Sequence, residues 1–140
     1  MAILFSIEDI SFNLKERNKI KQWIKKIVET EGKRLGNISY IFCSDEYLLV
    51  VNKKYLEHDT YTDIITFDYT ENSEIISGDI FISIDRVKEN AKEFKVAFEE
   101  ELRRVIIHGV LHLLGYPDKK PNEEKIMREK ENKALLLYDK

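Results

Sequence analysis

Apolar residues recur along the chain with two periods, and the period switches at turn-forming residues. Residues 2–7 form a short apolar run of strand length, whereas residues 14–30 carry apolar side chains at 20, 23, 24, 27 and 28, the spacing of one helix face. Gly32 and Gly36 punctuate the chain before residues 38–43, whose β-branched and aromatic content predicts a strand. Ser44, followed by Asp45 and Glu46, predicts a capped helix with Leu48, Leu49 and Tyr55 as its buried stripe, and residues 59–62 read as a loop. Residues 64–69 and 75–84 are the next strands, joined by the polar turn 70–73. Ile80, Ile82 and Ile84 alternate with Phe81 and Ser83 to give one buried face. A helix is predicted over 86–94 and another over about 97–114, charged in its first half and then apolar all round apart from two histidines and Gly109, the mark of a core helix. Pro117 and Pro121 bracket a tight connection, and Asn122 is placed to cap a last amphipathic helix carrying Ile126, Met127, Ala134, Leu135 and Tyr138. The pattern predicts one α+β domain over residues 1–140, a small mixed sheet of about four strands packed against a central helix that holds the histidines.

A chain of 140 residues with 43% hydrophobic and 35% charged positions is that of a soluble globular protein able to bury its own core. No run approaches the roughly 20 apolar residues of a membrane span, so no membrane partner is expected. Residues 1–6 are too short and too poor in basic residues for a signal peptide, so a cytoplasmic location is the expectation. Cys43, the single cysteine, lies in an apolar run and reads as a buried small hydrophobe. The net charge of −3 argues against nucleic-acid binding over the whole surface, but the charge is segregated. Residues 15–34 contain eight Lys and Arg against three Glu, while residues 55–85 contain eight Asp and Glu and no Lys or Arg. Two solvated surfaces are the reading that the split favours by itself; the functional one is a basic helix that tracks phosphates and an acidic region that helps hold a cation.

Residues 108–118 carry the chemistry. His108 and His112 are four apart on a helix and project from one face, Gly115 can end that helix, and Asp118 returns ten residues after His108. This is a metal-site layout related to the His-Glu-x-x-His zinc proteases and their longer variant with a third ligand after a Gly turn. Gly109 stands where those proteases carry their glutamate base, which argues against peptide hydrolysis. Two unpartnered imidazoles in a core helix would cost several kcal/mol, a penalty that ligation removes. Two imidazoles and a carboxylate suit Zn2+, one per chain, ahead of Ni2+, Co2+ or Fe2+, and leave a fourth position for water. His58 is a rival third ligand or a phosphate contact.

The residues around this motif resemble those of the bacterial YbeY-type endoribonucleases, the rRNA maturation factors. The family signature His-Gly-x-Leu-His-Leu-x-Gly-Tyr-Asp-His is matched from His108 to Tyr116. Asn52-x-x-Tyr55 followed by Asp59-x-x-Thr62-Asp63-Ile64-Ile65-Thr66-Phe67 is similar to a second block, and residues 78–83, Gly-Asp-Ile-Phe-Ile-Ser, to a third. Met127 and Glu131 before Leu135 follow the family's final helix, so the resemblance covers about residues 45–137. It implies a single α+β domain with zinc held by His108, His112 and Asp118, and hydrolysis of single-stranded RNA. It further implies work on the 3′ end of 16S rRNA and in ribosome quality control, with rRNA and the small ribosomal subunit or its assembly factors as partners. Two departures stand out. Asp118 occupies the place of the family's third histidine, after Pro117 in place of its Asp, and Leu56 replaces an arginine that follows the motif tyrosine. His58, Lys53 and Lys54 are then the candidates for binding RNA phosphate.

The expectation is thus a zinc-dependent, single-strand-specific endoribonuclease. Its catalytic residues, His108 and His112, act through the metal; no general base is assignable, with Asp59 and Asp63 the nearest candidates. The alternative is a ribosome-assembly factor that binds RNA or protein, keeps a mainly structural metal and has little nuclease activity.

Overall fold

A computed structural model describes residues 2–57 and 60–139. Four strands, β1 (Ala2–Ile7), β2 (Arg34–Cys43), β3 (Ile64–Asp68) and β4 (Ile75–Ser83), form one sheet in the order β1-β2-β4-β3. β1, β2 and β4 run parallel and β3 is antiparallel to β4, so the sheet is mixed. Five helices complete the described chain: α1 (Arg17–Thr30), α2 (Asp45–Leu56), α3 (Ile84–Phe94), α4 (Phe98–Leu113) and α5 (Pro121–Tyr138). The expected α+β class and helix-on-sheet architecture are both present.

The period-2 pattern sorts the sheet into unequal faces. Ile38, Tyr40 and Phe42 of β2 and Ile76, Ile80 and Ile82 of β4 join Trp23, Ile24, Val87, Ile106, Val110 and Met127 in the main core, which is built with α1, α3, α4 and α5. Cys43, Leu48, Val51 and Ile65 form a smaller cluster under α2 on the opposite face, with Phe67 and Phe81 packed against it. Burial pushes the Cys43 thiol up to about 12, so it is a neutral hydrophobe at physiological pH, as its setting in the sequence implies. Hydrogen bonds tie this core across elements: Tyr40 Oη donates to Ile106 O at 2.9 Å and Trp23 Nε1 to Ala134 O at 2.8 Å.

Several boundaries differ from the sequence pattern. β2 starts at Arg34 and runs through Gly36, because Arg34 and Leu35 pair with Ile75 and Ile76 of β4. α2 buries Leu48, Val51 and Asn52, while Tyr55 stays 59% exposed at the helix end, meeting Phe67 edge-on at 5.9 Å. α5 starts at Pro121 with Lys120, not Asn122, at its cap. Glu123 Oε1 there accepts the Lys119 and Lys120 amides at 3.2 and 3.0 Å, so Asn122 falls inside the first turn. The buried stripe of α5 is Met127, Glu131, Ala134 and Tyr138, which leaves Ile126 exposed. A glutamate on a buried stripe requires a partner, and it has one at the site described below.

Gly109 lets α4 lie directly on the sheet. A Cβ at this position would stand 2.9 to 3.0 Å from Ile80 and 3.2 Å from Ile64 Cδ1. Gly109→Ala is therefore expected to lower stability by about 1–2 kcal/mol, since overpacking costs typically 1–3 kcal/mol and the helix-propensity gain returns at most about 1. Denaturant unfolding of the metal-free protein measures this; a variant as stable as wild type would mean that α4 is free to lift from β4.

Candidate metal centre

α4 supplies two of the three converging side chains, and its last turn supplies the route to the third. Gly115 adopts φ 103°, its amide bonds to His112 O at 3.0 Å, and the Tyr116 amide bonds to Leu111 O at 3.0 Å, which is the Schellman pattern of helix termination. The chain reverses there and brings Asp118 back over the helix face that carries the histidines. Asp118 Oδ2 lies 3.1 Å from His108 Nε2 and 3.2 Å from His112 Nε2, and one donor atom from each residue falls within 4.8 Å of the others. The imidazole rings meet edge to face with centroids 4.6 Å apart.

The second ring nitrogens fix this arrangement. His108 Nδ1 lies 2.6 Å from Glu131 Oε2 and His112 Nδ1 lies 3.0 Å from Tyr116 O. With Nδ1–H donated to those oxygens, both Nε2 lone pairs point at the Asp118 carboxylate. Three acceptors converging in this way require a cation between them, either a proton or a metal ion. Tetrahedral coordination with bonds of about 2.1 Å places ligands roughly 3.4 Å apart, close to the separations found. The residues thus fit a small divalent ion with nitrogen preference.

Glu131 is the hub beneath the site. It is 4% exposed, and besides His108 it accepts from Arg104 Nη1 at 3.0 Å and pairs with Arg128 Nη1 at 3.6 Å. Its own desolvation opposes ionisation, but the His108 bond and the two arginines outweigh it and hold the carboxyl below the usual range. For His108, burial disfavours the charged ring, yet the Glu131 bond with the nearby Asp118 and Asp63 carboxylates raises its pKa overall. The turn is clamped from the far side, where Tyr116 Oη donates to Glu31 Oε1 at 2.5 Å and Lys130 Nζ to Glu31 Oε2 at 3.0 Å.

These groups lie in an open cleft of about 790 Å³. Asp63 lines it and receives a 3.3 Å hydrogen bond from Asn90 Nδ2; burial pushes its carboxyl up, with His108 acting in the opposite direction. Leu56, one of the two departures noted in the sequence, is also on the cleft wall and puts an apolar side chain there. Lys53 and Lys54 sit in the last turn of α2 outside the lining, with Lys54 Nζ over the Tyr55 ring at 5.3 Å. None of the α1 cations lines the cleft. His58 and Asp59 lie outside the described residues. Buried Asn52, from the second sequence block, ties α2 to the return loop through Nδ2 to Thr60 O at 2.8 Å. Sequence reasoning missed the roles of Glu131, the Tyr116 carbonyl and Arg104; only Glu131 left a signal, as the charge on an apolar stripe.

Comparison with known proteins places this geometry in context. A family model described as Endoribonuclease YbeY matches residues 5–139. The chain is 56% identical over 137 residues to Endoribonuclease YbeY of Parabacteroides distasonis, covering 98% of this chain and 96% of the relative. Endoribonuclease YbeY of Bacteroides thetaiotaomicron is 51% identical over 137 residues, covering 98% and 99%. Among solved structures, that of TM1509 from Thermotoga maritima superposes with a TM-score of 0.67 at 30% identity, covering 96% of this chain and 87% of that one.

Proposed function

The chain belongs to the endoribonuclease YbeY family, and from that premise we infer that it is a zinc-dependent endoribonuclease that cleaves single-stranded rRNA. We assign its work to maturation of the 16S rRNA 3′ end and to ribosome quality control, in the cytoplasm and in contact with the small ribosomal subunit. The observation that carries the metal-dependent reading is the convergence of His108 Nε2, His112 Nε2 and Asp118 Oδ2 in an open cleft. Among the described residues no helix is long and apolar enough to cross a membrane.

His108, His112 and Asp118 are the ligands in this reading, and two nitrogen donors favour zinc over the harder divalent ions. When bound, such an ion supplies Lewis acidity toward a phosphate oxygen and acidifies water. The chain's own groups do the rest. Glu131 and the Tyr116 carbonyl hold both imidazoles in the ligating tautomer, and Asp63, the described one of the two candidate bases, lines the cleft. The described lining carries four carboxylates, on Asp63, Glu101, Asp118 and Glu131, against three cations, Arg104, Lys119 and Arg128. Its formal charge is negative without a divalent ion and positive with one, the sign that suits a phosphate backbone.

The alternative, an assembly factor with a structural metal, is not favoured. Structural zinc sites are closed by four protein ligands, whereas this one has three described donors facing a cleft. The test is cleavage of a single-stranded rRNA fragment before and after chelation, with zinc added back. Chelation is expected to stop cleavage and zinc to restore it; cleavage that persists in the metal-free protein sinks the reading. Asp118→Ala is expected to weaken metal binding by at least about 10- to 100-fold and Asp118→His to recover most of it, as read by metal titration. Unchanged affinity in the alanine variant removes Asp118 from the ligand set.

A further inference from the structure

Phe94 is on the wrong surface for a core residue. α3 buries Ile84, Val87 and Ala91, and position 94 continues that stripe, yet Phe94 is 51% exposed. The helix ends there, with Lys95 at φ 57°, and Phe94 lines the metal cleft together with its i−4 neighbour Asn90. A single exposed apolar side chain needs no explanation by itself. Its position is what matters: of the described exposed large hydrophobics only Leu56 and Phe94 line the cleft, and Phe94 is its only Phe, Tyr or Trp. The lining also holds cations, and these differ in availability. Arg104 is 17% exposed and committed to Glu131 and Asn132 at 3.0 Å each. Arg128 is 54% exposed, and its 3.6 Å approach to Glu131 is too long for a hydrogen bond. Lys119 is exposed and directly follows Asp118.

We propose that Phe94 is the stacking platform for an unpaired nucleobase in this cleft, and that Arg128 and Lys119 take the adjoining phosphates. The proposal rests on the endoribonuclease reading and names residues that decide its preference for single strands. A ring and a half-exposed guanidinium lining one cleft match the two faces of a single strand, since stacking tolerates any base and cations follow the backbone. A paired base has no free face to offer the ring.

The experiment measures equilibrium binding of a short, fully 2′-O-methylated single strand to zinc-loaded protein, with bound zinc and melting temperature recorded for each variant. Phe94→Ala is expected to weaken binding about tenfold, and Phe94→Trp to recover it, with zinc content unchanged. An abasic nucleotide at the stacked position should erase the difference between wild type and Phe94→Ala. Arg128→Gln is expected to reduce the slope of log K against log salt by about 0.7, one phosphate contact, and Arg128→Lys to restore it. Wild-type affinity in Phe94→Ala, or an unchanged slope in Arg128→Gln, overturns the assignment and leaves the endoribonuclease reading standing. A wild-type chain that neither binds nor cleaves RNA removes the endoribonuclease reading as well.

Discussion

His112→Ala is expected to lose cleavage of single-stranded RNA and to bind zinc more than about 100-fold less tightly, beyond the usual range for changes to a residue that only supports a ligand. The side chain is partly exposed and its one described protein hydrogen bond, to Tyr116 O, lies at the helix end, so the fold is expected to survive. The ring contributes one of two nitrogen donors, and without it the described cluster falls to His108 and Asp118. Metal titration and single-turnover cleavage, with a thermal melt to confirm folding, measure the result. A variant that keeps zinc and cleaves at the wild-type rate would place the chemistry elsewhere in the molecule.

Glu131 should matter almost as much without being a ligand. Its removal leaves Arg104 nearly buried without its closest carboxylate and releases the His108 ring. Glu131→Ala is expected to lower stability by about 3–5 kcal/mol, the range for breaking a buried ion pair from one side. Glu131→Gln keeps the shape without the charge, and is expected to cost about 10- to 100-fold in metal affinity with a smaller loss of stability. The two variants separate packing from electrostatics. The metal-free protein adds a pH signature. The lowered Glu131 pKa stabilises the fold above the ordinary 4.5, an effect lost as pH falls through the folded value. The raised His108 pKa stabilises it below 6.5, an effect lost as pH rises through the folded value. The pair therefore contributes most between those limits. Glu131→Gln should flatten that window in a series of denaturant melts; an unaltered pH profile would show that Glu131 does not set the charge of His108.

Much of the site was legible because its determinants are local. His108 and His112 share a helix face by the 3.6-residue period alone, and Gly115 announces the turn that returns Asp118. The alternating isoleucines of β4 and the apolar second half of α4 likewise fixed which surfaces meet. Misplaced expectations share a cause. Tyr55 satisfies its helix stripe but stays exposed at the helix end, Ile126 lies off the stripe that α5 buries, and Asn122 lost the cap because Glu123 captured the preceding amides.

What the sequence determined by itself was the class of fold, the helix that carries the ligands and the chemical type of the site, all set by periodicity and donor identity over a few turns. Only the tertiary structure decided the rest. It brought Glu131 from 23 residues away to hold His108, and Glu31 from 85 residues away to clamp Tyr116. It also put Phe94 and Arg128 on the cleft that holds the ligands. These contacts join α1, α3 and α5 to the end of α4, and no local period encodes them. They follow from how the helices stack on one face of the sheet, where side-chain volume and burial set the neighbours.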